Sequence, residues 1–211
     1  MIVHPQIEQG SPEWYAIRKG MATASNFDKI LTSARATASR SIGPYIDDLI
    51  SQAFAPDEED EFQGTRWTER GKDLEPQARA AFVQHTGHAV EEVGFVTMDD
   101  LTAGCSPDGL ITCEGRYVAG LEIKCLGRAK HARYVIAGVL PDEFKQQVHG
   151  SLVVTGLPEW HFWAWHPKMA PLHVVATWDC YTQAMAAALK EFTKMYTDAW
   201  RFAAPKLTPK N

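Results

Sequence analysis

The sequence predicts an α/β domain in which helices flank one mixed sheet. Three observations carry that expectation. Between residues 89 and 125 the chain passes through four short apolar or alternating segments, each closed by turn residues, as neighbouring strands do. On either side stand stretches whose apolar residues recur at helical spacing. No internal repeat and no low-complexity linker divides the 211 residues, a length suited to one medium domain with its own core.

The elements follow in order. Residues 12–19 and 26–34 read as short helices, the second with Ser25 as N-cap and Asp28 three positions on, in the manner of a capping box. A helix over 43–54 has Pro44 in its first turn and buries Ile46, Leu49, Ile50 and Phe54. The acidic run "APDEEDEF" at 55–62 reads as a solvated loop. Helical spacing resumes over 68–87 around Leu74, Ala78, Ala81 and Phe82, with Gly87 as the stop and Pro76 expected to open or kink a helix. Strands are expected over 89–97, 102–105, 108–113 and 117–125, mainly antiparallel. Helices over 127–138 and 142–155 precede two further strands, "EWHFWAWHP" and "PLHVVATW", joined by a turn containing proline. Trp163 and Trp165 read as core residues of an apolar strand in preference to platforms for bases. A final helix covers 180–202, and the tail at 204–211 is expected to be mobile.

Composition narrows the classes. No apolar run approaches the ~20 residues of a membrane-spanning helix, and the N-terminus shows no basic segment followed by an apolar one, so the cytosol is the default expectation. The net charge of −5 argues against a protein that coats nucleic acid by bulk attraction, although basic groups lining one channel would satisfy a nucleic-acid enzyme. Cys105, Cys113, Cys125 and Cys180 form no Cys-x-x-Cys pair, which gives little support to zinc or iron-sulfur ligation; they read as buried free thiols.

The chemistry lies in "GCSPDGLITCEGRYVAGLEIKC", residues 104–125. Ser-Pro-Asp-Gly makes a tight turn readily, so Asp108 alone says little. On the strand that follows, Leu121, Ile123 and Cys125 face one way while Glu122 and Lys124 face the other. Taken separately, a Pro-Asp-Gly turn is usually a loop and a Glu-x-Lys strand usually meets water. Taken together, in this order and at hairpin distance, they match the Pro-Asp, then Asp/Glu-x-Lys signature of restriction-endonuclease-like nucleases. Such a site can hold Mg2+, which prefers oxygen ligands, through Asp108, Glu122 and the carbonyl of Ile123, while Lys124 orients or polarises the attacking water.

Further blocks extend the match. "QGSPEWYAIRKGMATASNF", "RGKDLEPQARAAFVQHTG", "AGCSPDGL", "GLEIKC", "QQVHGSLVVTG" and "FWAWHP" resemble, in order, the lambda exonuclease and YqaJ-type viral recombinase family, from about Gln9 to Pro167. The resemblance implies a restriction-endonuclease-like core. It implies Asp108 and Glu122 as metal ligands, Lys124 as the catalytic lysine, Glu75 as a further acid near the metal, and Gln147 as a glutamine beside the site. His149 stands where the family commonly has a second glutamine; it is kept as a candidate DNA contact. Arg18, Ser25 and Ser106 are implied as the pocket for a terminal 5′-phosphate, a sensible set for phosphate oxygens. Arg35 and Arg40, on the polar loop "SARATASRS", are candidate DNA contacts, and Trp14 and Trp67 each sit beside a matching block. What the resemblance implies of function is a Mg2+-dependent 5′-to-3′ exonuclease, with Mn2+ able to substitute. It would act on double-stranded DNA ends as a ring-shaped homotrimer, together with a single-strand annealing protein. A restriction- or repair-type endonuclease with the same metal site, or a non-catalytic DNA-binding adaptor, are the competing readings.

Overall fold

In a computed structural model of the chain, residues 1–56, 58 and 66–209 are described, apart from the side chains of 66–69 and 72. The expected acidic loop therefore falls largely outside the described residues, as does the side chain of Trp67.

The α/β class holds, but the strands form two mixed sheets instead of one. The first runs in the order β1 (Ile2–His4), β4 (Phe95–Thr97), β5 (Ala103–Cys105) and β2 (Ala22–Thr23), with β2 parallel to β5 and the other neighbours antiparallel. The second runs in the order β3 (Ala89–Glu91), β6 (Gly109–Cys113), β7 (Arg116–Cys125), β8 (Glu159–His166) and β9 (Met169–Thr177), antiparallel except between β7 and β8. The continuous strand expected over 89–97 is broken between Glu91 and Phe95, so its two halves join different sheets. Gly94 makes the break possible: a β-carbon there would lie 1.7 Å from the carbonyl oxygen of Ile7, an approach that only glycine tolerates.

The helices are α1 (Pro12–Arg18), α2 (Ile42–Phe54), α3 (Arg66–Thr86), α4 (Arg128–Ala137), α5 (Asp142–Thr155) and α6 (Cys180–Leu207). Pro76 lies inside α3 and does not open it. The helix expected over 26–34 is instead a single 3-10 segment, Ala24–Lys29, with Thr23 at its N-cap. Ser25 does not cap it, because its hydroxyl is engaged by Arg18 and Thr23. After it the chain turns back on itself, Thr32 N–H donating to Thr37 O and Leu31 bridging Ala38. At the other end α6 runs through Pro205 to Leu207, past the expected stop at 202, because Trp200 and Ala203 still pack against the core.

Two hydrophobic clusters lie on opposite faces of the five-stranded sheet. The larger gathers Phe27, Leu49, Val148, Leu152, Trp160, Phe162 and Phe192; the smaller gathers Ala78, Phe82, Ile111, Leu121, Ile123 and Trp163 beneath α3. Alternation along β7 and β8 sends neighbouring residues to opposite clusters. Phe162 and Trp163 are both essentially inaccessible to solvent, each contributing roughly 1.5–3 kcal/mol by burial. Trp163 also donates its indole N–H to the carbonyl of Ala78, so it is a core residue, as expected. At Gly150 a β-carbon would sit 2.3 Å from the ring of Phe27, so the glycine lets α5 close onto the Ala24–Lys29 segment. All four cysteines are free, but only Cys105 is buried; Cys113 and Cys180 are exposed, contrary to expectation, because each sits at an end of its element. No helix among the described residues is long and apolar enough to cross a membrane.

Candidate active site

The turn Ser106–Pro107–Asp108 joins β5 to β6, and the hairpin register sets Gly109 opposite Leu121. Asp108 donates its backbone N–H to Leu121 O at 3.0 Å, and its side chain accepts the N–H of Ile123 at 2.6 Å. The acid in the turn is thereby fixed against the strand carrying Glu122 and Lys124. Glu122 is 2% exposed, and Lys124 Nζ lies 2.6 Å from its carboxylate. On the charged face of β7, Glu122 is therefore shut away from water while Lys124 is half-buried, its Nζ 5.3 Å from the ring centre of Phe144 on α5.

The electrostatics follow from burial. Burial pushes the Glu122 carboxyl up to about 7, with Asp108 and Glu75 adding to the shift and Lys124 opposing it. Glu75, on α3, is likewise pushed up to about 7 by burial and by Asp108, against Arg79. Burial raises Asp108 too, against Lys124, the Ile123 N–H and Arg79. Burial disfavours the Lys124 ammonium, but Glu122 and Asp108 outweigh it and its pKa rises above the ordinary value. The three acids thus feel one another, a typical mark of functional sites.

Sequence reasoning missed Arg79. Its Nη2 donates to Glu75 Oε1 at 2.6 Å, its Nε to the carbonyl of Asp108 at 3.0 Å, and its Nη1 lies 2.8 Å from Glu92 Oε1. It ties α3 to the turn and fixes Glu75 relative to Asp108. The signal was present in "EPQAR", where Arg79 stands one helical turn beyond Glu75.

As a donor set, carboxylates gathered in a poorly solvated place suit a hard divalent cation. Among the described residues no three His, Cys, Asp or Glu side chains are drawn together tightly enough to hold one as they stand. Two of the acids are turned to partners within the protein, Glu122 to Lys124 and Asp108 to the amide of Ile123.

On the other side of Pro107, Arg18, Ser25 and Ser106 come together. Arg18 Nη1 donates to Ser106 Oγ at 2.8 Å and Nη2 to Ser25 Oγ at 3.3 Å, while the guanidinium lies over Trp14, 4.1 Å from the ring centre. Gln147 and Ser25 line one cleft of about 350 Å³ with Asp28, Ser33, Asp142 and Gln146. Gln146 donates to Leu31 O at 3.2 Å, while its Oε1 is buried without a partner among the described residues. Arg35 and Arg40 are exposed on the loop between Leu31 and α2. His149 is placed elsewhere: it is buried where α5 meets α6, its Nδ1 2.7 Å from Thr182 Oγ1 and its ring against Tyr181.

The sequence profile of the YqaJ-like viral recombinase domain matches residues 13–158. The chain belongs to that family. No curated protein matches the sequence. Among solved structures, this YqaJ-like chain is similar to an alkaline exonuclease (LHK-Exo) from Laribacter hongkongensis. The identity is 25%, the TM-score 0.72, and the match covers 92% of this chain and 99% of that one. The same exonuclease in complex with dAMP matches at 26% identity and TM-score 0.71, with the same coverage. A phage-related exonuclease from Haemophilus somnus shares the fold at 11% identity and TM-score 0.58, over 85% of this chain and 96% of that one.

Proposed function

We propose that this protein is a Mg2+-dependent nuclease that degrades one strand of linear double-stranded DNA from its 5′-phosphorylated ends, in the 5′-to-3′ direction. One observation carries the reading: Ser106 and Asp108 flank a single proline, so a group able to grip a phosphate and a set of acids suited to a divalent cation share one turn. Family membership and the likeness to an alkaline exonuclease over nine-tenths of the chain support an exonuclease.

Asp108, Glu122, Glu75 and the carbonyl of Ile123 would hold the cation, Mg2+ or in its place Mn2+. When bound, it supplies charge for the phosphorane-like transition state and help for the departing oxygen. The chain's own residues do the rest. Lys124, kept as an ammonium by Glu122 and Asp108, donates hydrogen bonds to the attacking water or a phosphate oxygen and so acts by position and charge. Gln147 projects into the cleft beside Ser25, where its amide can hold the water or the phosphate. Arg18, Ser25 and Ser106 hold the terminal phosphate at a set distance from the acids, which places the reacting bond. Arg35 and Arg40 extend the contact along the DNA backbone.

The same reading includes a homotrimeric ring around the DNA and a single-strand annealing protein that takes up the exposed strand. A chain of net charge −5 has little basic surface with which to hold DNA through many cycles, and encirclement supplies persistence where affinity does not. Light scattering should give about three times the monomer mass. The decisive assay uses linear duplex labelled at the 5′ or the 3′ end with Mg2+, beside a covalently closed circle. Loss of the 5′ label as mononucleotide with the circle intact is expected; cutting of the circle would favour the endonuclease reading instead.

A further inference from the structure

Ser106 carries one hydroxyl hydrogen and two lone pairs. Both lone pairs are taken: Trp14 Nε1–H donates to Ser106 Oγ at 2.9 Å and Arg18 Nη1–H donates to the same oxygen at 2.8 Å. The hydroxyl can then act only as a donor, and among the described residues it has no acceptor. The indole hydrogen is shared with the carbonyl of Gly94, at a longer 3.2 Å. Gly94 is the residue packed against the Ile7 backbone, and Ser11 caps the helix that carries Trp14, so the indole is itself held. Arg18 gives two of its five N–H groups to Ser106 and Ser25, which leaves three. The guanidinium has little freedom to turn away, because Trp14 lies across its face and Phe95 stands 5.7 Å from it on the sheet.

We propose that Trp14 is the positioning residue of the terminal-phosphate grip: its indole N–H makes Ser106 an obligate donor, and its ring holds Arg18 in place, so Ser106 and Arg18 both face the ligand as donors. The inference rests on the phosphate-grip reading and deepens it. Donors fixed at both Ser106 and Arg18 favour a ligand that is all acceptor. A phosphate monoester dianion is such a ligand, whereas a terminal hydroxyl brings a hydrogen that finds no partner there. Selection between the two ends is thus set by a tryptophan that itself need not touch DNA.

The test measures the ratio of digestion rates on 5′-phosphorylated and 5′-hydroxyl ends of one linear duplex, at one salt concentration, for wild type, Trp14→Phe, Ser106→Ala and the double variant. Thermal melts confirm that each is folded. Phenylalanine keeps a ring over Arg18 but has no N–H. Ser106 would then regain an acceptor, and the ratio should fall by roughly 3- to 10-fold, the scale of one neutral hydrogen bond. Ser106→Ala should lower it by a similar factor. The double variant should fall no further than the lower single one, since both changes act through the one Ser106 hydroxyl. A large wild-type ratio that Trp14→Phe leaves unchanged, or factors that multiply in the double variant, would overturn the role of Trp14 while leaving the phosphate grip standing. A wild-type ratio near one would overturn the grip itself, and this inference with it.

Discussion

On the two sides of Pro107 the molecule treats charge in opposite ways. Toward Ser106, one guanidinium is stacked on Trp14 and bonded to two hydroxyls, a set whose members support one another. Toward Asp108, the carboxylates of Asp108, Glu122, Glu75 and Glu92 gather around Lys124 and Arg79, which pair with Glu122, Glu75 and Glu92. The first set is assembled from within; in the second, buried acids crowd one another and their pKa values rise. On the proposed reading, a site for an anion beside a site for a cation is what positioning a phosphodiester requires, and the crowding of the second would be a stability cost accepted for function.

The largest expected effect breaks the acid side. Asp108→Asn should abolish cleavage of linear duplex, and Mg2+ should raise the melting temperature of wild type but not of the variant, since ligand stabilises only the state that binds it. Near-normal turnover by folded Asp108→Asn at saturating Mg2+ would remove Asp108 from the site. Lys124→Ala comes next: single-turnover rates should fall by on the order of 10² or more, with the Mg2+-induced rise in melting temperature retained. On the grip side, Arg18→Ala should lower the preference for a 5′-phosphorylated over a 5′-hydroxyl end by about 10- to 100-fold, the range of a charge-assisted contact. An unchanged ratio would place Arg18 in general backbone binding or in structure.

The smallest effect sharpens the contrast through a third titratable group, beneath α3. His161 lies with its Nδ1 2.9 Å from His173 Nε2 and its ring 5.2 Å from that of His88, with Phe82 and Glu159 also facing it. Burial, then His173 and His88, push its pKa down to about 4, against roughly 6.5 for an unfolded histidine. Between those values the unfolded chain binds more protons, so this contribution to stability is complete above about pH 6.5 and is lost as pH falls toward 4. The raised acids have the opposite sign: the folded state holds protons that the unfolded state has released, and stability falls as pH rises through their window. In metal-free melts, His161→Phe should therefore gain on wild type as pH is lowered from 7 to 4, and Asp108→Asn should gain as pH is raised, each by a few degrees. Parallel curves for either variant would refute its assignment.

Much of the fold was legible. Helical and alternating spacing located α2, α4, α5 and the strands from β6 to β9, where local pattern and packing agree. The break at Gly94 and the short strands β1 and β2 were not legible. Two or three residues carry no period, and the glycine is explained by Ile7, which is distant in sequence. At the site, Asp108, Glu122 and Lys124 could be named because a turn and one strand place them within a hairpin. Arg79 could not be assigned a role, and His149, expected as a candidate DNA contact, is instead buried against α6.

What the sequence determined by itself was local: which residues share a face of β7, that Asp108 sits in a turn, and that the ordered blocks belong to one family. Chain spacing dictates these, because period and turn chemistry act over a few residues. The tertiary structure decided how charges separated by scores of residues meet. Arg18 reaches Ser106 across 88 positions and Trp14 reaches it across 92, and Glu75 is brought to Asp108 only because α3 packs on β7 through Phe82, Leu121 and Ile123. Burial then set the strengths: a carboxylate or hydroxyl that would be unremarkable in water becomes a group of altered acidity or fixed hydrogen-bond sense once its solvent is replaced by particular neighbours.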